Sequence, residues 1–169
     1  SYGFGINSPN NQGWRGGYAY KRVEKNFDPA VGFVNQTDVE SHALDFGARR
    51  FLSPGGYIRS IYGGFEGYRA ETLVDGKLNT QNFGLRLSIE NNTGDRFFAR
   101  VFETNENLIK DFTINRSSDG LRTVVIPQGN YKFSEVQTGY QMGRQRKFAG
   151  TFILRGGNYY SGTRFQRTA

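Results

Sequence analysis

The sequence contains no cysteine, a single histidine and no long apolar run, and each absence narrows the possible functions. Without cysteine the chain has neither a disulfide framework nor a thiolate metal site. One histidine, His42, argues against a histidine-based zinc site. No apolar run approaches the roughly 18 residues of a membrane-spanning helix, which excludes an α-helical membrane protein. No metal and no cofactor are therefore predicted.

The residues that are abundant are those of β-structure. Aromatic residues make up 15% of the 169 residues and there are 23 glycines, yet the mean hydropathy is -0.63. This combination suits half-buried strands joined by Gly and Asn turns. A β-barrel fits as well, because its alternating strands keep the average hydropathy low.

One stretch, from Asn82 to Glu90, shows the pattern most clearly. Its odd positions are apolar and its even positions are small, polar or charged, which predicts a strand with two unlike faces. A strand that crosses a bilayer needs about 9–11 residues, and this run is long enough. The apolar row is Phe83, Leu85, Leu87 and Ile89.

Further alternating runs predict an all-β chain of about seven to eight strands in an antiparallel up-and-down meander. Residues 52–56, 91–95 and 143–147 are predicted tight turns, whereas residues 25–36, 105–130 and 156–162 are predicted loops, as are residues 1–15. Asp75-Gly76 carries a hairpin signal, and Gly63-Gly64 predicts a bend or bulge. Short turns on one side and longer loops on the other are typical of a transmembrane outer-membrane β-barrel.

The net charge is +7, with 22 basic and 15 acidic residues. The basic residues are spread along the chain, so no nucleic-acid partner is predicted. Anionic lipid or a polar barrel lumen explains the charge. Because the chain starts without Met or a signal peptide and both ends interrupt a pattern, residues 1–169 are expected to be one barrel segment of a longer protein.

Three motifs resemble elements of an uncharacterised outer-membrane β-barrel family whose members carry an N-terminal domain similar to family-9 carbohydrate-binding domains. The motifs occupy residues 26–38, 125–133 and 156–164, in that order, and the resemblance covers roughly residues 14–167. It implies a bacterial outer-membrane location and a barrel architecture. No catalytic residue is implied, and this chain lacks the carbohydrate-binding domain.

The candidate site residues are charged side chains on the polar faces of two neighbouring strands. Glu66, Arg86 and Glu90 are predicted to face a barrel lumen as a charge network. The alternatives are contact with a ligand and catalysis by the carboxylate pair Glu66 and Glu90, as in glycosidases. His42 does not complete a triad with Ser41 and Asp45, because alternation turns it to the opposite face.

Two further groups are interpreted structurally. The motif from residue 26 to 34 is predicted to be a folded loop that docks on a strand end, with ligand recognition as the alternative; its key residues are Asn26, Phe27, Asp28, Pro29, Gly32 and Phe33. Seven tyrosines are predicted to form a membrane-interface girdle, with a glycan-binding groove as the alternative: Tyr18, Tyr20, Tyr57, Tyr62, Tyr68, Tyr159 and Tyr160.

Three functions follow from these observations. The favoured one is an outer-membrane barrel segment that serves as a channel, an anchor or a part of carbohydrate uptake. Its partners would be outer-membrane lipid, the rest of the barrel or other chains, and a polysaccharide or oligosaccharide. The alternatives are a soluble β-sandwich that binds glycan, with Trp14 among its contacts, and an outer-membrane hydrolase.

Overall fold

A computed structural model of the chain describes residues 1–8, 10–27, 37–116, 123–160 and 162–168. These residues form strands and no helix, and long strands dominate. The strands are β1 (Tyr2–Asn7), β2 (Gly13–Val23), β3 (Val39–Phe51), β4 (Ile58–Thr72), β5 (Leu78–Asn91), β6 (Arg96–Leu108), β7 (Phe112–Arg116), β8 (Thr123–Ile126), β9 (Gly129–Gln141), β10 (Thr151–Tyr159) and β11 (Gly162–Thr168).

Nine of these strands make one antiparallel sheet in the order β1-β2-β3-β4-β5-β6-β9-β10-β11. The remaining two, β7 and β8, pair with each other as a separate hairpin inserted between β6 and β9. The predicted all-β meander is confirmed. Within the described ranges no ladder joins β1 to β11, so each is an edge strand.

The strand count is higher than the predicted seven to eight, because β1, β7 and β8 lie in segments that are predicted to be loops. Residues 2–7 were predicted to be loop but form β1, and residues 156–159 extend β10. The predicted connection at 105–130 contains the β7–β8 hairpin. Ladder hydrogen bonds to a neighbouring strand override the weak local strand preference of Gly and Asn.

Two local predictions at glycines have opposite outcomes. The hairpin at Asp75-Gly76 is confirmed, since β4 and β5 pair on either side of it and Gly76 has a φ of 63°. The bend or bulge at Gly63-Gly64 is wrong, because the β4–β5 register shifts only between Ile58 and Ser60 and between Ala70 and Glu71.

The sheet has an apolar face that is exposed along its whole width. Neighbouring strands present apolar side chains on the same side, and at least one on every strand of the sheet is exposed. Examples in sheet order are Phe4, Trp14, Leu44, Ile61, Leu85, Val101, Val136, Leu154 and Phe165. We call this side the apolar face. Aromatic contacts continue it from strand to strand, with ring centroids 5.8 Å apart for Phe46 and Phe65.

The opposite side of the sheet is concave. Adjacent strands lie about 4.8 Å apart, so β1 and β10 would be roughly 34 Å apart in a flat sheet. Nevertheless Asn7 of β1 and Arg155 of β10 line the same cavity of about 470 Å³. The sheet must therefore curve strongly around this cavity, and we call the side that lines it the concave face.

Few side chains are deeply buried, since the sheet is a single layer. Among the described residues no large side chain is fully buried. Val23, Val39 and Ala70 form a small apolar cluster on the concave face, where β2, β3 and β4 reach the connections at 24–38 and 73–77. We call this end of the sheet the loop end, and the opposite end, with the connections at 52–57 and 92–95, the turn end.

Candidate functional site

The concave face carries a basic cavity of about 480 Å³ in its turn-end half. Five arginines and two carboxylates are among its lining residues: Arg15, Arg49, Arg86, Arg96, Arg100, Asp45 and Glu66. We call it the arginine cavity. The period of two places these side chains together, because alternate residues of five neighbouring strands, β2 to β6, point to the same side.

Tyr62 lies at the centre of this group and is itself 9% exposed. The guanidinium carbons of Arg15, Arg49 and Arg86 are 5.9, 5.8 and 5.7 Å from the centre of its ring. Arg86 also donates a hydrogen bond of 3.2 Å to the Tyr62 hydroxyl. Cation–π attraction to one aromatic ring therefore offsets part of the repulsion among these three like charges.

Two glycines make room for that ring. A Cβ built on Gly47 or on Gly64 would lie 2.6 or 2.5 Å from the Tyr62 hydroxyl oxygen. Both distances are too short for a real side chain. Gly64 is thus explained by close packing under the tyrosine, and the pair Gly63-Gly64 is not a break in the strand.

The structure brings two of the three predicted charged residues together. Arg86 forms an ion pair of 3.2 Å with Glu66 and one of 3.8 Å with Asp45. Asp45, which sequence analysis did not select for this network, lies directly opposite Glu66 across the β3–β4 ladder. Arg86 therefore bridges two neighbouring carboxylates and offsets the repulsion between them.

Glu90 belongs to a different pair. Its carboxylate meets Arg59 at 3.2 Å, near the turn end, and the Arg59 side chain is 55% exposed. The predicted network of Glu66, Arg86 and Glu90 is thus two separate ion pairs. That these residues face a lumen stays a prediction.

A second polar cluster lies at the turn end and was missed by sequence analysis. Asp95 is 3% exposed and accepts hydrogen bonds from the Gly143 amide at 2.8 Å and the Tyr140 hydroxyl at 2.9 Å. Arg146 pairs with the same carboxylate at 2.6 Å. The cluster joins the turn after β5 to the turn after β9; the only sequence signal was the turn-forming run 91–95.

These hydrogen bonds change the acidity of Asp95. The Gly143 amide, followed by Asn91 and Tyr140 and by the charge of Arg146, lowers the pKa of the Asp95 carboxyl to about 2, although burial opposes the shift. At the loop end, the Lys77 ammonium and the Thr72 hydroxyl lower the pKa of Asp75 to about 2. The Asp75 side chain is 42% exposed, so its site is far more open to solvent.

An aromatic cluster lies at the loop end of the concave face. The Tyr160 ring centre is 5.0 Å from Tyr131, 5.1 Å from Phe133 and 4.8 Å from Tyr159. Tyr160 also donates a hydrogen bond of 2.7 Å to Glu106. Burial, and then this hydrogen bond, raises the pKa of the Tyr160 hydroxyl.

The predicted tyrosine girdle is therefore only partly on the apolar face. Tyr18 and Tyr20 share that face with Phe4, whose ring lies 6.0 and 5.7 Å from theirs. Tyr62 and Tyr68, which line cavities of the concave face, do not belong to a girdle. Alternation along β4 puts both on the side opposite to Phe65.

His42 has a structural contact in place of a catalytic one. Its Nδ1 lies 2.7 Å from the Tyr18 hydroxyl oxygen, and its ring packs against Tyr20 at 5.2 Å. Ser41 lies opposite Lys21 in the ladder, on the other face of the sheet. No triad forms from these residues.

The loop motif at 26–34 is only partly visible. The Phe27 amide donates to the Glu24 carbonyl at 3.1 Å, which forms a turn that includes Asn26, and Phe27 is 39% exposed. Asp28, Pro29, Gly32 and Phe33 lie outside the described residues. The docking of this loop stays a prediction.

The described ranges contain no group of three or more acidic or histidine side chains placed to hold a metal ion. They also contain no helix that is long and apolar enough to cross a membrane.

Comparison with protein-family models, with curated proteins and with solved structures finds no match for this chain. The resemblance to the outer-membrane barrel family therefore rests on the three sequence motifs.

Proposed function

We propose that this chain is a segment of a bacterial outer-membrane β-barrel, with its apolar face toward lipid and its concave face toward a polar lumen. Its role would be that of a channel or anchor component. One observation carries the proposal: an exposed apolar side chain occurs on every strand of a nine-stranded sheet. Soluble proteins rarely leave so continuous an apolar surface uncovered.

The dimensions of this surface support the same environment. On β5 the apolar row from Phe83 to Ile89 extends about 20 Å along the strand, close to the roughly 25 Å apolar band of outer-membrane barrels. The strand continues beyond the row into Gln81 and Asn91. Polar residues at both ends of an apolar row are what a bilayer with two polar interfaces requires.

The carbohydrate part of the proposal has a separate basis. It rests on the family resemblance and on the loop-end cluster of Tyr131, Phe133, Tyr159 and Tyr160. Aromatic rings with polar edges give such clusters both apolar and hydrogen-bonding surface, which suits a sugar. A neutral oligosaccharide that quenches or shifts tyrosine fluorescence, and does so less in Tyr159→Ala, would support this part.

A vesicle flotation assay tests whether the chain inserts into a membrane. The 169-residue chain is refolded in the presence of phosphatidylcholine vesicles and floated on a density gradient after an alkaline carbonate wash. We expect it to float with the vesicles and to show β-structure by circular dichroism. A chain that folds to a monomer in buffer without detergent, and is left behind by the vesicles, would contradict the proposal and favour the soluble β-sandwich.

A further inference from the structure

We propose that the arginine cavity binds a phosphate group, either free or carried by a small solute. The inference rests on the proposed function and deepens it, because it assigns the chemical class of the solute that the concave face accepts. Rings of Arg and Lys are the general means by which pores select anions and phosphate. The charge balance of the cavity, the repulsion between its arginines and its unpaired donors all support this assignment.

The first step is the charge balance of the cavity. Its lining has five arginines and only two carboxylates, Asp45 and Glu66. Arg86 pairs with both carboxylates. Within the described part of the chain neither Arg15, Arg49 nor Arg100 has a carboxylate within 4.0 Å. The cavity thus carries an excess of positive charge.

The second step is the cost of keeping these charges together. Arg86 and Arg100 are directly opposite each other across the β5–β6 ladder. Like charges in that position destabilise a sheet. Arg15, Arg49 and Arg86 also converge on the single ring of Tyr62. A bound anion would relieve the repulsion in both places.

The third step is hydrogen bonding. The Nε atoms of Arg49 and Arg86 are buried and have no hydrogen-bond partner. A buried donor without a partner costs free energy, and a water or an anion would remove that cost. The planar fork of a guanidinium matches two oxygens of one phosphate, so the donors favour an oxyanion over chloride.

The chain offers a matched pair of variants to test this assignment. Arg49 and Arg50 are adjacent on β3, but Arg49 lines the arginine cavity and Arg50 is exposed on the apolar face. Arg49→Gln and Arg50→Gln make the same change in net charge. The unmodified chain and both variants are folded in detergent micelles. Each is titrated with inorganic phosphate and with glucose 6-phosphate at constant ionic strength, and binding is measured by calorimetry. Glucose serves as the neutral control.

We expect saturable binding of phosphate and of glucose 6-phosphate to the unmodified chain, and none of glucose. Arg49→Gln should weaken binding at least about tenfold, since a charged hydrogen bond of this kind contributes at least about a factor of ten. Arg50→Gln should leave it within a factor of about two, since the Arg50 side chain lies on the opposite face of β3 and does not line the cavity. If glucose 6-phosphate binds more tightly than phosphate, the site accepts a phosphate group carried by a small solute. If phosphate binds more tightly, the site accepts the free ion.

A second variant, with the opposite expected effect on affinity, keeps the test valid if Arg49→Gln misfolds. Glu66→Gln removes a competing carboxylate and should tighten phosphate binding about threefold or more, which a damaged fold would not do. The proposal is overturned by the absence of saturable binding, by equal weakening in Arg49→Gln and Arg50→Gln, or by weaker binding in Glu66→Gln. Phosphate binding that depends on Arg49 in a chain that stays out of vesicles would refute the membrane proposal alone.

Discussion

The two faces of the sheet differ in a way that reverses the usual rule for soluble proteins. Leu85 is 54% exposed, whereas the side chain of its neighbour Arg86 is 23% exposed. Charged residues are ordinarily the exposed ones and leucines the buried ones. Here the concave face shelters the charge, and the apolar side chains point outward. The proposed position of the chain in a bilayer would account for both sides of this comparison.

The largest expected effect is that of a charge moved between the two faces. Leu85→Arg places a guanidinium on the apolar face, which in a bilayer should lower the free energy of unfolding by about 2–4 kcal/mol. Thr104→Arg is the matched change on the concave face, where Thr104 lines the 470 Å³ cavity. Its effect should be much smaller, because water and nearby carboxylates solvate the charge. Guanidinium unfolding of vesicle-inserted protein measures both.

Equal losses in Leu85→Arg and Thr104→Arg would contradict the assignment of the faces. A harmless Leu85→Arg would show that the apolar face is in contact with water.

The next effect compares two adjacent glycines. Gly64→Ala brings a Cβ to 2.5 Å from the Tyr62 hydroxyl and 2.8 Å from the Phe46 carbonyl oxygen. We expect a loss of about 1–3 kcal/mol from overpacking. Gly63→Ala meets nothing within 4 Å and should be neutral or stabilise the strand by up to about 1 kcal/mol. Denaturant midpoints of the two variants decide this, and a larger loss in Gly63→Ala would be inconsistent with the close packing at Tyr62.

The third effect is the acid dependence of stability at Asp95, which lies at the turn end, away from both faces of the sheet. A carboxyl with a lowered pKa stabilises the fold above its ordinary pKa of about 3.9, and that stability is lost as the pH falls through the folded value. For Asp95 the folded value is about 2. Acid should therefore weaken the unmodified chain between pH about 4 and about 2, and Asp95→Asn should flatten that decline.

Asp75 provides the control, since its pKa is also about 2 but its side chain is far more exposed. Asp75→Asn should change the acid profile less, because solvent screens an exposed pair. The denaturant midpoint is measured from pH 5 to pH 2 for all three proteins. A profile flattened more by Asp75→Asn than by Asp95→Asn would be evidence against a stabilising role of the turn-end cluster.

The smallest effect concerns the ion pair of Glu90 with Arg59. The Arg59 side chain is 55% exposed, and exposed pairs contribute about 0–1 kcal/mol. Glu90→Gln should therefore lower the free energy of unfolding, measured by denaturant titration, by no more than about 1 kcal/mol, and phosphate binding should not change. If Glu90→Gln changed phosphate binding as much as Glu66→Gln does, Glu90 would have to be part of the arginine cavity.

How far the sequence predicted this protein depends on whether a feature is local. Strand β5 and its two faces follow from alternation alone, because side chains on a strand must point to opposite sides. The hairpin at Asp75-Gly76 follows from the left-handed backbone that glycine adopts readily. Strand β1 and the end of β10 were not predicted, because Gly and Asn there are held in strands by their neighbours.

In the candidate site, too, the local contacts were predictable from the sequence and the contacts between distant strands were not. The ion pair of Arg86 with Glu66 was anticipated, since the two residues share a face of one hairpin. Asp45 joins them only through the β3–β4 register, and Arg15 and Arg49 join through the convergence of three strands on Tyr62. No spacing within one segment could have signalled that group.

By itself, then, the sequence determined the strands that alternate cleanly, which of their faces is apolar, and the all-β meander. These features depend on period-two patterning and turn residues, which act over a few positions. The tertiary structure decided the curvature of the sheet, the link between the turns at Asp95 and the collection of five arginines in one cavity. These features depend on register and curvature across strands distant in sequence, which local patterns do not encode.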